Sequence, residues 1–487
     1  MASSATEVFR HPVRAWMGPP PLSVTPGTPV AELVARMTAC GAGEAVIVDA
    51  DGSILGILTE QDVTRRVACR GVGGQPVDAF MSAPVRTVDV DRHLYEAIGY
   101  MRRHGLRHLP VADAAGRLLG MLHLDTALAR ASGPLAEQID RLTHEGDFAG
   151  LARVKAAQVE LARHLFDDGV AAPEILALIS DINNDIHRRV LRLILAAMAE
   201  AGQGAPPVAF DCIVMGSGGR GESALFPDQD HGFVLEDYPD RRHGEIDPWF
   251  IEAADRLGRH LDGLGFPLCR GGVMAINPVW RKTLGQWREQ LLSWMRRRHE
   301  NMLLSSDIFF DFRPVFGEGR MAGELRAFAT AAAQEHPRFL REMFAIQADH
   351  HAAIGLFGRL RLERAVPEHR GQLNLKLGGT LPLAEAVRLL ALKEGVSATG
   401  TLARIAALRA GGRLSADEAY ALERAFAFIT GQILRRQISD YEQHRPVGSL
   451  IDPRALAASE RQELKAHLRS INEFRTRLRS ELTGELV

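Results

Sequence analysis

The chain has 487 residues, of which 46% are hydrophobic and 24% charged, a composition that suits a folded globular protein of more than one domain and excludes a fibrous or disordered one. Its 58 Lys and Arg against 60 Asp and Glu leave a formal charge of −2, without the basic excess that phosphate-backbone binding favours, so nucleic acid is not an expected partner. Cys40, Cys69, Cys212 and Cys269 form no Cys-x-x-Cys pair and fit reduced cytoplasmic thiols, while the lack of an apolar core in residues 1–10 and of any apolar run near about eighteen residues predicts neither secretion nor membrane insertion.

The first elements belong to an internal repeat at an offset of 64 residues. Pro12, Val13, Ala15, Met17, Pro20 and Val24 recur as Pro76, Val77, Ala79, Met81, Pro84 and Val88. Met37, Gly41, Asp49, Gly52, Leu55 and Gly56 recur as Met101, Gly105, Asp113, Gly116, Leu119 and Gly120. Each copy predicts a helix (Pro29–Cys40 and His93–His104) and two strands around a Gly-containing turn (Ala45–Val48 and Ile54–Leu58 in the first copy), then another helix.

A β-α-β-β-α unit in tandem over residues 10–130 resembles a CBS domain pair. The resemblance implies an adenine nucleotide such as AMP or ATP in the cleft between copies and a homodimer built through the pair. In that family a Gly-x-x-Thr-x-x-Asp run places a hydroxyl near phosphate and a carboxylate on the ribose, which here gives Gly56, Thr59 and Asp62. The second copy has Gly120, His123 and Thr126 at the matching offsets, with Asp125 one place early. A module that only packs and dimerises is the alternative.

Residues 134–202 read as a helical linker bundle, with Leu151, Val154, Val159, Leu161 and Leu165 on its apolar face and His187 as a helix-surface or packing residue. A Gly/Pro break at Gln203–Pro207 then leads to a buried strand, Ala209–Met215, which runs into Gly216-Ser217-Gly218-Gly219-Arg220-Gly221-Glu222. Such a turn exposes backbone N–H groups to a phosphate. After a spacer of ten residues from Ser217 come Asp228-Gln229-Asp230, read as entering a second strand, Gly232–Leu235. Carboxylates at i and i+2 of a strand point the same way and repel unless a cation, Mg2+ or Mn2+, sits between them and also grips triphosphate oxygens.

Gly-Ser, a spacer of ten and Asp-x-Asp is the pattern of the DNA-polymerase-β-like nucleotidyltransferases. The longer run GSGGRGESALFPDQD resembles the catalytic segment of protein-PII uridylyltransferases and of a related nucleotidyltransferase family that carries CBS domains. Arg220 and Glu222 belong to this narrower pattern, and polar Gln229 departs from the broader one. The superfamily needs a third carboxylate on a later strand, which the resemblance assigns to Asp311 in the aromatic run Ile308–Val315, with an Asp311–Arg313 ion pair as the alternative. It implies transfer of an NMP from an NTP to a protein or small acceptor, with release of pyrophosphate. Asp228, Asp230 and Asp311 would hold metal, Gly216 and Ser217 would cradle phosphates, and Arg220 would touch phosphate or pair with Glu222. The segment Arg270–Pro278, followed by Trp280 and Trp287, is loop-like and either shapes the pocket or packs.

Residues 335–487 predict helices broken at Gly378-Gly379 and Gly411-Gly412, with Lys376 as a phosphate contact or part of a helix-start turn ahead of Pro382. The basic run Arg296–Arg298 reads as a solvated helix face. The sequence has no His-Asp dipeptide, so the phosphohydrolase HD domain that accompanies PII uridylyltransferases is not expected. The chain is thus expected to be α+β and multidomain: a CBS pair (10–130), a helical linker bundle (134–202), a nucleotidyltransferase-type mixed sheet with helices (203–334) and an all-α C-terminal domain (335–487). A nucleotide-binding signalling protein without catalysis is the competing reading.

Overall fold

The structure, a computed structural model, describes residues 12–67, 74–92, 94–113, 115–128, 147–296, 307–347, 350–355 and 358–484. His93, the stretch 134–146, Arg297 and Arg298 lie outside the described residues. The chain divides into two compact units, residues 1–145 and 146–487.

In the first unit the repeat becomes two matching three-stranded sheets. Strands β1 (Leu22–Val24), β2 (Glu44–Val48) and β3 (Ile54–Thr59) form one, in the order β1-β2-β3. Strands β4 (Val88–Asp89), β5 (His108–Ala112) and β6 (Leu118–His123) form the other. In each, the first pair is parallel and the second antiparallel, because a helix (Val30–Cys40 or Leu94–Arg103) crosses over between the parallel strands.

The two copies interlock. Gly18 bridges to Met121 on β6, and Ser82 bridges to Ile57 on β3. A Cβ on Gly120 would fall 2.5 Å from the Gly18 carbonyl oxygen, and one on Gly56 would collide with the Met81 side chain. Gly56 and Gly120, which recur at offset 64, are therefore required by the close approach of the other copy's entry segment.

In the second unit, β7 (Phe210–Val214), β8 (His231–Leu235), β9 (Arg281–Thr283) and β10 (Arg313–Phe316) make a mixed sheet in the order β10-β7-β8-β9, antiparallel except for β8 beside β9. Every residue of β7 and β8 is buried, as expected of central strands covered on both faces. The helices Phe148–Asp167 and Ala172–Glu200 share a unit with this sheet instead of standing apart as a linker bundle. Buried Lys155 donates to the Leu225 carbonyl, and the Ser223 N–H donates to Ser180 Oγ. His187 is buried and its Nδ1 bonds the Asn183 carbonyl oxygen, a packing role.

The expected strand over Ile308–Val315 is shorter than predicted: residues 307–309 are helical and pairing begins only at Arg313. Buried aromatic side chains, not a sheet, explain that run, since Phe309, Phe310 and Phe312 all pack into the main core. The C-terminal helices, chiefly Leu381–Lys393, Thr401–Ala410, Ala416–Glu442 and Ala458–Thr483, continue the same core. A two-residue ladder, β11 (Leu373–Asn374) with β12 (Leu450–Ile451), interrupts their all-α character. Among the described residues no helix is long and apolar enough to cross a membrane.

Candidate active site

The strand β7 ends at Val214, and the chain turns at once into one helical turn, Gly216–Arg220. Gly216 has φ 57°, in the left-handed region. A Cβ there would lie 3.0 Å from Asp230 Oδ2, so glycine leaves room for the carboxylate against the turn. A Cβ on Gly219 would overlap the Asp311 carbonyl oxygen. The glycines let this turn nest against both acidic segments.

Asp228, Gln229 and Asp230 form the extended approach to β8, just ahead of its first residue, His231. Backbone bonds pin the approach: the Gln229 N–H donates to Pro267 O, the Met215 N–H to Asp230 O and the His231 N–H to Val273 O. The Gln229 side chain is fully buried; Nε2 donates to the carbonyls of Gly258 and Phe266, and Oε1 lies 3.2 Å from His231 Nε2. This accounts for a polar residue between the two acids: its amide finds partners that an apolar side chain would leave unpaired.

Asp228 is exposed and Asp230 partly buried, and their carboxylates lie, with the Cys269 thiol, in a group whose ligand atoms are all within 4.8 Å of one another. Asp230 Oδ1 is buried without a hydrogen-bond partner. Burial and the charge of Asp228 push the Asp230 carboxyl up to about 7, against a smaller opposing pull from Cys269 and Lys376. Burial and the neighbouring Asp230 push the Cys269 thiol up to about 11 in the metal-free fold, where it stays protonated and is a weak donor. An orphaned carboxylate oxygen beside a second acid fits a hard divalent cation held by Asp228 and Asp230. Cys269 escaped the sequence reading because a lone cysteine 39 residues after an acid carries no spacing signal.

Asp311, the expected third ligand, is placed differently and does not join the group of Asp228, Asp230 and Cys269. It is fully buried, and Arg220 Nη1 at 2.8 Å, Arg404 Nη1 at 2.7 Å and the Arg388 guanidinium all face its carboxylate. Burial alone would raise its pKa, but Arg388, Arg404 and Arg220 hold it well below the usual carboxylate range. Its Oδ2 accepts from Arg220 and Arg388, and its Oδ1 lies against Arg404 without a hydrogen bond, so three guanidiniums neutralise the acid and leave it little basicity to take a proton. The alternative Asp311–Arg313 pair is also absent: Arg313 Nε donates to Gly219 O and Nη1 reaches Asp181 at 3.5 Å.

Arg220 also meets Glu222 at 2.7 Å. Burial would lower its pKa, but Glu222 and Asp311 raise it above the usual arginine value. It is a rigid post tying the glycine turn to Asp311. Glu222 in turn accepts the Thr401 N–H, which locks the turn to the C-terminal helices. Arg388 and Arg404 were missed, yet a signal existed: a charge such as Arg388 inside the nearly all-apolar run Leu381–Lys393 demands a buried partner. Lys376 opens a helical turn, Lys376–Thr380, leading into Leu381–Lys393 with Pro382 in its first turn; it is exposed, and its charge acts on Asp230. The loop Arg270–Pro278 sits beside the site, with the Ala275 N–H donating to buried His231 Nδ1, while Trp280 and Trp287 pack in the core.

In the first unit Thr59 and Asp62 bond each other. Thr59 caps the turn Glu60–Asp62, its Oγ1 donating to Asp62 Oδ2 at 2.8 Å while the Asp62 N–H donates to Thr59 Oγ1 at 3.3 Å.

Comparison with known families assigns residues 156–301 to "Putative nucleotidyltransferase DUF294", residues 337–482 to "Putative nucleotidyltransferase substrate binding domain", and residues 13–69 and 77–133 to the CBS domain. An uncharacterized 17.7 kDa protein of Acidianus ambivalens is 32% identical over 108 residues, 22% of this chain and 65% of its own length. An uncharacterized protein of Methanopyrus kandleri is 34% identical over 106 residues, 21% of this chain and 54% of its own. The chain thus spans less than two thirds of either relative. A CBS domain protein of Pyrobaculum aerophilum, solved complexed with AMP, is 24% identical and covers 25% of this chain and 98% of its own, with a TM-score of 0.24.

Proposed function

We propose, for a chain whose residues 156–301 belong to the putative nucleotidyltransferase DUF294 family behind a CBS pair, a metal-dependent nucleotidyltransferase that moves an NMP from an NTP to a protein or small acceptor. The observation that carries it is the pairing of Asp228 and Asp230 against the Gly216–Ser217 turn, with Asp230 Oδ1 orphaned. A bound Mg2+ or Mn2+ would neutralise the developing charge on the phosphates. Asp228 and Asp230 would hold that ion. Gly216 and Ser217 present backbone to the triphosphate without obstruction, and exposed Lys376 adds positive charge on the Asp230 side. The acceptor hydroxyl oxygen bonds to the α-phosphorus as the bond to the β-phosphate oxygen breaks, pyrophosphate leaves, and the hydroxyl proton passes to water at the exposed Asp228 edge.

The acceptor fits the PII-like class of protein hydroxyls, in a cytoplasmic setting. Control falls to the CBS pair, where an adenine nucleotide such as AMP or ATP takes the Thr59 hydroxyl and the Asp62 carboxylate and two chains pair through the module. Enclosure of Asp311 by arginines favours a second reading, nucleotide binding without catalysis, because one acid that the superfamily uses is not free. Transfer of label from each α-phosphate-labelled NTP to lysate proteins with Mg2+, comparing the parent with Asp228→Ala/Asp230→Ala, separates the two. Label that disappears in the variant establishes catalysis; none with any NTP, with or without AMP or ATP, leaves the binding reading.

A further inference from the structure

Among the described residues a second cluster of potential metal ligands lies in the first unit, far in sequence from the acids of the candidate active site. It comprises Glu44, His108 and His123, whose ligand atoms all lie within 4.8 Å of one another. Glu44 opens β2 and comes from the first copy of the repeat. His108 opens β5, His123 closes β6, and the two stand directly opposite each other in the antiparallel register. Their rings meet edge to face with centroids 5.2 Å apart.

The repeat makes the placement informative. At offset 64, His108 is the counterpart of Glu44 and His123 the counterpart of Thr59, and Glu44 faces Thr59 across β2 and β3 as His108 faces His123. One copy thus supplies a carboxylate and the other two imidazoles at equivalent places. Glu44 is 7% exposed. Its Oε2 lies 3.1 Å from His108 Nδ1 and its Oε1 lies 3.6 Å from His123 Nε2. These separations bracket the edge, about 3.3 Å, of a tetrahedron with metal–ligand bonds near 2.05 Å.

His108 Nδ1 is buried and makes no hydrogen bond, despite the carboxylate oxygen beside it. The nitrogen is thus close to the carboxylate but not aimed at it, and a shared ion would give it the partner it lacks. Two imidazoles and a carboxylate suit a borderline cation, not Mg2+, which takes oxygen ligands.

We propose that Glu44, His108 and His123 form a zinc-class divalent cation site that staples the two CBS copies together, with a fourth coordination position open to water. Because Glu44 pairs across the ladder with Thr59, occupancy fixes the strand end on which the Thr59–Asp62 cap is built.

The test uses the full chain carrying Asp228→Asn/Asp230→Asn, so that the active-site acids do not bind the probe. After removal of metal with chelator, Zn2+ is titrated by calorimetry and the bound metal counted by elemental analysis after gel filtration. One Zn2+ per chain is expected, falling to a tenth of that or less when His108→Gln and His123→Gln are added, and bound at least about tenfold more weakly with Glu44→Gln. Circular dichroism and melting of the metal-free proteins establish that the variants fold. Absence of Zn2+ binding at micromolar free metal, or undiminished binding in the histidine variant, overturns the proposal. Should the variants not fold, Co2+ added to the parent decides: intense visible d–d bands of a tetrahedral nitrogen–oxygen site support it, and the weak bands of an octahedral ion overturn it.

Discussion

Asp230 and Asp311 flank the same glycine turn, and burial pushes the pKa of each upward, yet the two carboxylates are opposite in character. Asp230 faces another acid and keeps an oxygen with no partner. Asp311, whose Oδ1 also lacks a hydrogen bond, is surrounded instead by three positive charges, from the turn itself and from the two helices Leu381–Lys393 and Thr401–Ala410. The first is an acid beside an acid, which a cation would neutralise; the second is already neutralised by the protein's own arginines. Burial alone does not mark a functional acid. What decides is whether the fold has neutralised its charge.

Neutral, near-isosteric substitutions break the comparison most sharply. Asp311→Asn leaves buried Arg404 without its carboxylate, while Arg220 keeps Glu222 and Arg388 keeps Asp307, and is expected to destabilise the protein by about 3–5 kcal/mol. Asp230→Asn removes an ionisation that the metal-free fold disfavours, and should be neutral or stabilising. Urea unfolding in EDTA at pH 8 measures both, and a similar loss from each would show that Asp230 is held as firmly as Asp311. The second effect is on chemistry. Asp228→Ala/Asp230→Ala should lower NMP transfer by about 10²–10³ or more, while the melting temperature changes little. A parallel collapse of both would make the pair structural.

How far these acids could be read beforehand follows from the distance over which their neighbours act. Asp228 and Asp230 were legible because their partners, each other and Gly216–Ser217, are close in the chain and their spacing repeats a known pattern. The repeat was legible because Gly56 and Gly120 answer the same steric demand, each lying under the other copy's entry segment. Asp311 was legible as a buried acid but not as a neutralised one, since Arg388 stands 77 residues downstream on a helix whose place no local pattern gives. The strand predicted around it failed for a related reason: Phe309, Phe310 and Phe312 are apolar to fill a core, not to alternate across a sheet. The Glu44–His108–His123 cluster was half visible, because the offset of 64 sets Glu44 against His108, but nothing in one dimension shows that equivalent positions meet.

A smaller effect sharpens the contrast through pH. The Asp230 carboxyl, pushed up to about 7 from about 3.9 in the unfolded chain, binds its proton more tightly when folded. Its contribution is therefore fully present below about pH 4 and lost as pH rises through about 7. Asp311 has the reverse sign: its pKa is depressed, so its contribution is present above the unfolded value and lost as pH falls. Mg2+ competes with the Asp230 proton, so the rise in melting temperature on adding Mg2+ should be larger at pH 8 than at pH 5.5 and should vanish in Asp228→Asn/Asp230→Asn. An equal rise at both pH values would place the ion elsewhere.

The smallest expected effect concerns Cys269, which lies against Asp230 in the group that could hold the ion. With its thiol pushed up to about 11 it stays protonated at neutral pH, and its value to the site is one weak donor turned toward the carboxylate. A serine hydroxyl supplies the same donor. Cys269→Ser should keep transfer within about twofold of the parent, whereas Cys269→Ala, which removes the donor, should cost about 1 kcal/mol in kcat/KM, or roughly fivefold. If Cys269 instead bound the metal as thiolate, serine would not replace it, both variants would fall together, and activity in the parent would favour a softer ion over Mg2+. The split between serine and alanine thus decides whether the cation sits on two oxygens of this chain or on two oxygens and a sulfur.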